Sequence, residues 1–149
     1  MSATPSMPQL IGQTERALGA LLRPVLVRNG ATFHQWVALS VTTTNGGSMN
    51  RGDLIAYITD ALQIDDDTVD AAIAELAAAG LLDGPTESVV ALNDAGRERS
   101  DALRTAVSAN TVPVFADIPD DDLAAARRVL TTVAERAATQ LALAAGSAS

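Results

Sequence analysis

Apolar residues recur three and four apart twice in succession in the middle of this chain, and each recurrence marks the buried stripe of a short helix. Leu54, Ile55, Ile58 and Leu62 form the first stripe. Asn50 stands before it as an N-cap with Asp53 three residues on, and the helix is expected to end near Gln63. Val69, Ala72, Ile73 and Leu76 form the second stripe, opened by Ile64 and the acidic triplet Asp65, Asp66 and Asp67 and closed by Gly80, a residue suited to the C′ position. Two short apolar runs follow, Leu81–Leu82 and Val89 to Leu92. The turn formers Asp83, Gly84 and Pro85 lie between them, which predicts a pair of strands.

The flanks carry longer helical patterns. Residues 1–8, with Pro5 and Pro8 among Ser, Ala and Thr, are expected to form a disordered tail. A first helix is expected from about Gln9 to Arg28, with Leu10, Leu18, Leu21, Leu22, Val25 and Leu26 on one broad face. Pro24 removes a backbone donor and should bend it, and Asn29-Gly30 ends it. Thr32 and Gln35 have the spacing of a capping box for a second helix holding Phe33, Trp36, Val37 and Leu39, followed by a polar link from Thr42 to Ser48. After Asn93 a helix is expected from Asp94 to about Asn110, with Leu103 and Val107 apolar and Arg97, Arg99 and Arg104 charged. Thr111 to Pro119 is expected to be irregular, broken by Pro113 and Pro119. The last helix opens on Asp120, Asp121 and Asp122, carboxylates that complement its amide-rich end, and continues one stripe through Leu123, Ala126, Leu130, Val133, Ala137 and Leu141. A compact core offers that stripe no place, so burial against a second chain is the simplest reading.

Helix, turn, helix and hairpin in that order predict a winged helix. At these residues the chain resembles a known family: VDAAIAELAAAGLL (69–82) followed by ALNDAGR (91–97) is similar to the recognition helix, Gly-Leu turn and L-T-x-x-G-R close of MarR-family transcriptional regulators. ATFHQWVALS (31–40) resembles the family's L-T-x-x-Q-W-x-x-L helix. The resemblance covers nearly the whole chain and implies a mainly α fold with a small β-hairpin. It implies one domain over residues 9–145, with the winged helix at 32–93 and dimerisation helices at 9–28 and 94–145. It further implies a homodimer that reads duplex DNA and releases it when a small ligand binds. The DNA-facing residues would be Ser48, Asn50 and Arg51 before and at the start of one helix and Thr68, Asp70, Ala71 and Glu75 on the recognition helix.

Charge argues against that implication. The chain carries a net charge of −8, all ten of its basic residues are arginine, and between Arg51 and Arg97 there are ten acidic residues and no basic one. DNA affinity rests largely on cations that neutralise phosphates, so such a surface should repel a duplex. Where the family usually has a polar residue and an arginine early in the recognition helix, this chain has Asp70 and Ala71, and a second common arginine is Glu75. The family's long wing with its Asp-Arg-Arg tip is replaced by the short DGPTES. A winged-helix dimer that has lost DNA binding and acts through a small molecule or protein partner therefore stands as the alternative.

Composition narrows the chemistry. At 149 residues and 48% hydrophobic, the chain suits one domain with a core of Leu, Val, Ile and Ala, since only Phe33, Trp36, Tyr57 and Phe115 are aromatic. No run approaches the roughly 20 apolar residues of a membrane span, and the start lacks a basic region followed by an apolar one, so a cytoplasmic protein is expected. There is no cysteine and a single histidine, His34, which leaves no thiolate or histidine cluster for a metal and few nucleophiles or bases, so neither an enzyme nor a cofactor is expected. Asp65 to Asp67 before a helix are caps and solvated charge far more often than a cation site. His34 and Trp36 near Arg23 or Arg104 would suit a small aromatic acid or phenol. The competing reading places Trp36 in the core and His34 on the surface.

Overall fold

Most helices of the winged unit begin where a side chain closes the first turn. The computed structural model describes residues 3–83 and 88–147. Ser6 and Gln9 form a reciprocal capping box that starts α1 (Met7–Arg28), with Pro8 tolerated in the first turn. The expected tail is therefore shorter than residues 1–8. Thr32 and Gln35 do the same for α2 (Phe33–Thr44), the Asn50 side chain accepts from the Asp53 amide for α3 (Arg51–Leu62), and Asp65 accepts from the Thr68 amide for α4 (Asp66–Ala78). α3 stops at Gln63, which takes a left-handed conformation, and Gly80 (φ 76°) follows α4 as expected of a C′ glycine.

Two segments expected to be irregular are helical in their first part, 42–44 and 111–115. α2 continues through Thr42–Thr44, where the Asn45, Gly46 and Gly47 amides satisfy the Val41, Thr42 and Thr43 carbonyls and the Thr42 and Thr44 hydroxyls donate back to the Ala38 and Ser40 carbonyls at 2.7 and 2.9 Å. α5 (Asp94–Phe115) runs past Asn110 and contains Pro113, with the Asn110 and Thr111 side chains bonding the Ala106 and Val107 carbonyls one turn back. α6 (Asp120–Ser147) starts on the three aspartates, as the sequence predicts.

The strands differ in part from the expectation. β1 (Ser48–Asn50), inside and just after what looked like a polar link, pairs antiparallel with β2 (Val89–Ala91), matching Ser48 with Ala91, Met49 with Val90 and Asn50 with Val89. Gly46 (φ 85°) and Gly47 (φ 91°) take backbone conformations open to glycine and turn the chain from α2 into β1. The expected arm Leu81–Leu82 contributes one bridge, Leu82 with Leu92, plus a 2.8 Å bond from the Asp83 amide to the Ala91 carbonyl. Gly84 to Glu87, most of the shortened wing, lie outside the described residues.

The chain divides into two compact units, Met1–Thr111 and Val112–Ser149. In the first, α4 packs on α2 and α3, and Leu39, Leu54, Ile58, Val69, Ile73 and Leu76 are buried together with Leu26, Leu92 and Leu103. Each such side chain contributes roughly 1.5–3 kcal/mol relative to exposure. In the second unit no residue of α6 is buried, and Leu130, Val133 and Leu141 of its stripe are 42–57% exposed.

One junction fixes the end of the winged unit to α5. The Asn93 side chain donates to the Gly80 carbonyl at 2.8 Å and accepts from the Gly96 amide at 2.8 Å, so one amide group closes the turn after α4 and caps α5. Arg99 reaches the Asn29 carbonyl at 2.7 Å and ties α5 to the end of α1. A Cβ on Gly96 would overlap the Leu81 carbonyl oxygen, a backbone atom that has no rotamer to escape into. Gly96→Ala is therefore expected to destabilise the fold by about 1–3 kcal/mol, the usual cost of overpacking. Thermal melting checks this, and an unchanged midpoint would contradict it.

Candidate nucleic-acid interface

α4 buries Val69, Ala72, Ile73 and Leu76, and this orients everything else on it. Ala71 and Glu75 lie fully outward, while Thr68 and Asp70 are half-buried at the edge of the face. Ser48 and Asn50 are exposed on β1, and Arg51 follows directly at the first position of α3. The residues expected to face DNA thus occupy α4 and the β1–α3 corner, but five of them are engaged within the protein. Asn50 and Thr68 serve caps: the Asn50 oxygen accepts from the Asp53 amide, and the Thr68 hydroxyl donates to Asp65 at 2.6 Å.

The other two engagements were invisible in the sequence. Arg51, the one cation of the winged unit, donates through Nη2 to Oδ1 of Asp70 at 2.8 Å, joining the start of α3 to α4 across 19 residues. Glu75 accepts at 2.6 Å from the Gln35 side chain, 40 residues away on α2. Gln35 is aimed there by its own cap: its oxygen accepts from the Thr32 amide at 3.1 Å, which leaves its NH2 group for Glu75. Both carboxylates that replace the family's usual residues on α4 therefore have internal donors. Pairing leaves Glu75 a full negative charge, because a neutral amide cannot cancel it, whereas Arg51 and Asp70 together are neutral.

The three residues expected to hold a small ligand do not share a described cavity. His34 packs against Phe33 with ring centres 5.9 Å apart, and with Asp65, Asp67, Ala71 and Glu75 it lines an open hollow of about 420 Å³ on the α2–α4 side. Arg23 is exposed on α1, its guanidinium lying beside Gly19. Trp36 instead lines a separate cleft of about 240 Å³ between α2 and α5, with Ser40, Thr43, Ser100, Arg104 and Val107. Thr43 and Ser100 share a 2.8 Å hydroxyl–hydroxyl bond there, and Arg104 pairs with Asp101 at 2.9 Å on the exposed side. Arg104, the other cation weighed from the sequence, is thus the one beside Trp36. Among the described residues no group of three or more His, Cys, Asp or Glu is arranged to hold a metal ion. No helix among them is long and apolar enough to cross a membrane.

This arrangement of α2, α3, α4 and a two-stranded ladder is a winged helix-turn-helix of the kind found in transcriptional regulators. No protein-family model matches the sequence, and no curated protein matches it. Among solved structures the chain has the fold of MarR-family regulators. CouR from Rhodococcus jostii RHA1, solved with p-coumaroyl-CoA, superimposes with a TM-score of 0.76 at 18% identity over 87% of this chain and 92% of its own. A MarR-family transcriptional regulator from Silicibacter pomeroyi gives 0.70 at 22% identity over 85% and 86%. BpsR from Bordetella bronchiseptica, whose DNA binding is regulated by 6-hydroxynicotinic acid, gives 0.67 at 18% identity over 91% and 98%.

Asp65 caps α4. The Thr68 hydroxyl, and after it the Thr68 amide, hold the Asp65 carboxyl below the usual aspartate range. A lowered folded-state value means that the cap stabilises the fold fully above the unfolded value, near 4, and loses its effect as the pH falls through the folded value. The gap in melting temperature between the wild type and Asp65→Ala is expected to be widest at neutral pH and to close in acid. A gap independent of pH would show that the charge of Asp65 contributes nothing.

Proposed function

We propose that this protein is a dimeric, ligand-responsive transcriptional regulator that acts in the cytoplasm and binds duplex DNA through α4 and the β1–α3 corner. The observation that carries the reading is the placement of α4: it packs one face on α2 and α3 and holds the other clear, in a fold whose solved examples are regulators over almost their full length. Ser48 and Arg51 are the candidates for phosphate contact, with Asn50 contributing through the cap and backbone amides it orders. Thr68 and Ala71 present the small, outward part of α4, and Asp70 and Glu75 its charged part.

Dimerisation is supported by the apolar residues left exposed in the second unit. Val112, Val114, Phe115 and Ile118 precede α6, and Leu130, Val133, Leu141 and Leu143 continue along it, each more than 40% exposed. A run of this length on one chain is beyond the scattered exposed apolar residues that a monomer normally carries. A second copy, burying the same patch on both chains, is the simplest partner.

The ligand site is read as the α2–α5 cleft. An aromatic side chain, an arginine and several hydroxyls around a hollow of about 240 Å³ suit a single-ring aromatic acid: the ring packs on Trp36 and the carboxylate meets Arg104. 6-Hydroxynicotinic acid, which regulates BpsR, is of this chemical class, and the p-coumaroyl-CoA bound by CouR shares the aromatic ring but carries its acyl group as a thioester. Arg23 and His34 are assigned no part in this site.

Two measurements test the proposal. Sedimentation at micromolar concentration is expected to give a dimer, and a stable folded monomer would contradict it. Genomic fragments of the source organism incubated with the protein are expected to yield a retained duplex that is released by an aromatic acid. The same acid should raise the melting temperature of the wild type and leave Trp36→Ala unmoved, as a ligand selective for the folded state requires. Retention of no fragment would instead favour the dimer that has lost DNA binding.

A further inference from the structure

We infer that Asp70 is an intramolecular competitor of DNA: it occupies the only cation of the winged unit and so sets how many phosphates this surface can neutralise. The inference rests on the DNA-binding reading above. Both partners are held on rigid elements. The Arg51 amide donates to the Ser88 carbonyl at 2.9 Å, extending the β1–β2 pairing by one bond, and its residue opens α3 behind the Asn50 cap. Asp70 stands between Val69, which is buried, and the outward Ala71, and Ile73 on the next turn is buried too. The 2.8 Å bond therefore needs no loop to move in order to form or break.

Exposure decides what the pair can do. The side chains are 30% and 46% accessible, so solvent and a phosphate can both reach them. An ion pair in this setting holds its partners with a preference of roughly fivefold or less, which a polyanion can overcome. The guanidinium carries five N–H donors, and one is committed to Asp70. In the paired state Arg51 adds no net positive charge to the surface. In the open state Arg51 can meet a phosphate, but Asp70 is left uncompensated beside the backbone of the duplex. Pairing therefore withholds about one phosphate contact per subunit, and opening leaves a carboxylate that opposes the contact it releases. Glu75 differs, because its donor is the neutral Gln35 and releasing it frees no cation.

The experiment is a double-mutant cycle on the full chain, with fluorescence anisotropy on a random-sequence duplex across a salt series. Asp70→Ala is expected to tighten binding about two- to fivefold in the presence of Arg51. It should also steepen the slope of log affinity against log salt by about 0.9 per subunit, as one added phosphate contact requires. In the Arg51→Ala background the same change is expected to give only the small gain that Glu75→Gln gives, with no change of slope. Both side chains reach solvent, so the variants are expected to fold, which melting curves are to check. An equal gain from Asp70→Ala in both backgrounds would mean that Asp70 acts by repulsion alone and would overturn the inference while leaving DNA binding intact. Absence of duplex binding by every variant, Asp70→Ala included, would overturn both.

Discussion

The surface of this protein depends on α4 burying a single face. Val69, Ala72, Ile73 and Leu76 are each 4% exposed or less, and turning the helix by even one residue position would bring them into water. At about 1.5–3 kcal/mol for each of the larger side chains, that cost exceeds anything the outward residues can gain by moving. The helix orientation is thus set by hydrophobic burial, and the polar residues on its edges adapt to it. Arg51 and Gln35 meet Asp70 and Glu75 because α3 and α2 are the helices on which α4 packs.

This order of magnitudes also explains how a fold shared with MarR-family regulators can carry an acidic α4. The fold tolerates Asp70 and Glu75 because each finds a donor at 2.6–2.8 Å while staying partly in water, so neither is desolvated without compensation. The electrostatic consequence falls on function. On the proposed reading, a surface built this way would gain little from counterion release, and its discrimination would come from shape, amide groups and the few contacts left over.

Much of the fold was legible in the residues because its signals are local. Caps at Thr32, Asn50 and Asp65, the stripes of α3 and α4 and the aspartates opening α6 all act within one turn, and all appear where the spacing places them. The misses are long-range or depend on a side chain substituting for an expected partner. β1 is three residues, Ser48–Asn50, with no apolar run of its own, and it exists because residues 89–91 lie alongside. Thr42 and Thr44 look like a link until their hydroxyls are seen bonding back into α2. The candidate site was legible as a set of positions but not as a network. The sequence places Arg51 and Asp70 on successive helices, and only the packing angle brings them together. Trp36 and Arg104 are 68 positions apart and meet across α2 and α5, whereas Arg23 and His34, nearer in sequence, do not join them.

The central claim is that this winged helix reaches DNA with few phosphate contacts because its acidic face is held in place and its one local cation is engaged. The most direct measurement is the salt dependence of duplex affinity for the unmodified protein. With two or three contacts per subunit the slope of log affinity against log salt should be about −5 or shallower. A slope near −10, typical of a repressor that neutralises many phosphates, would contradict the account.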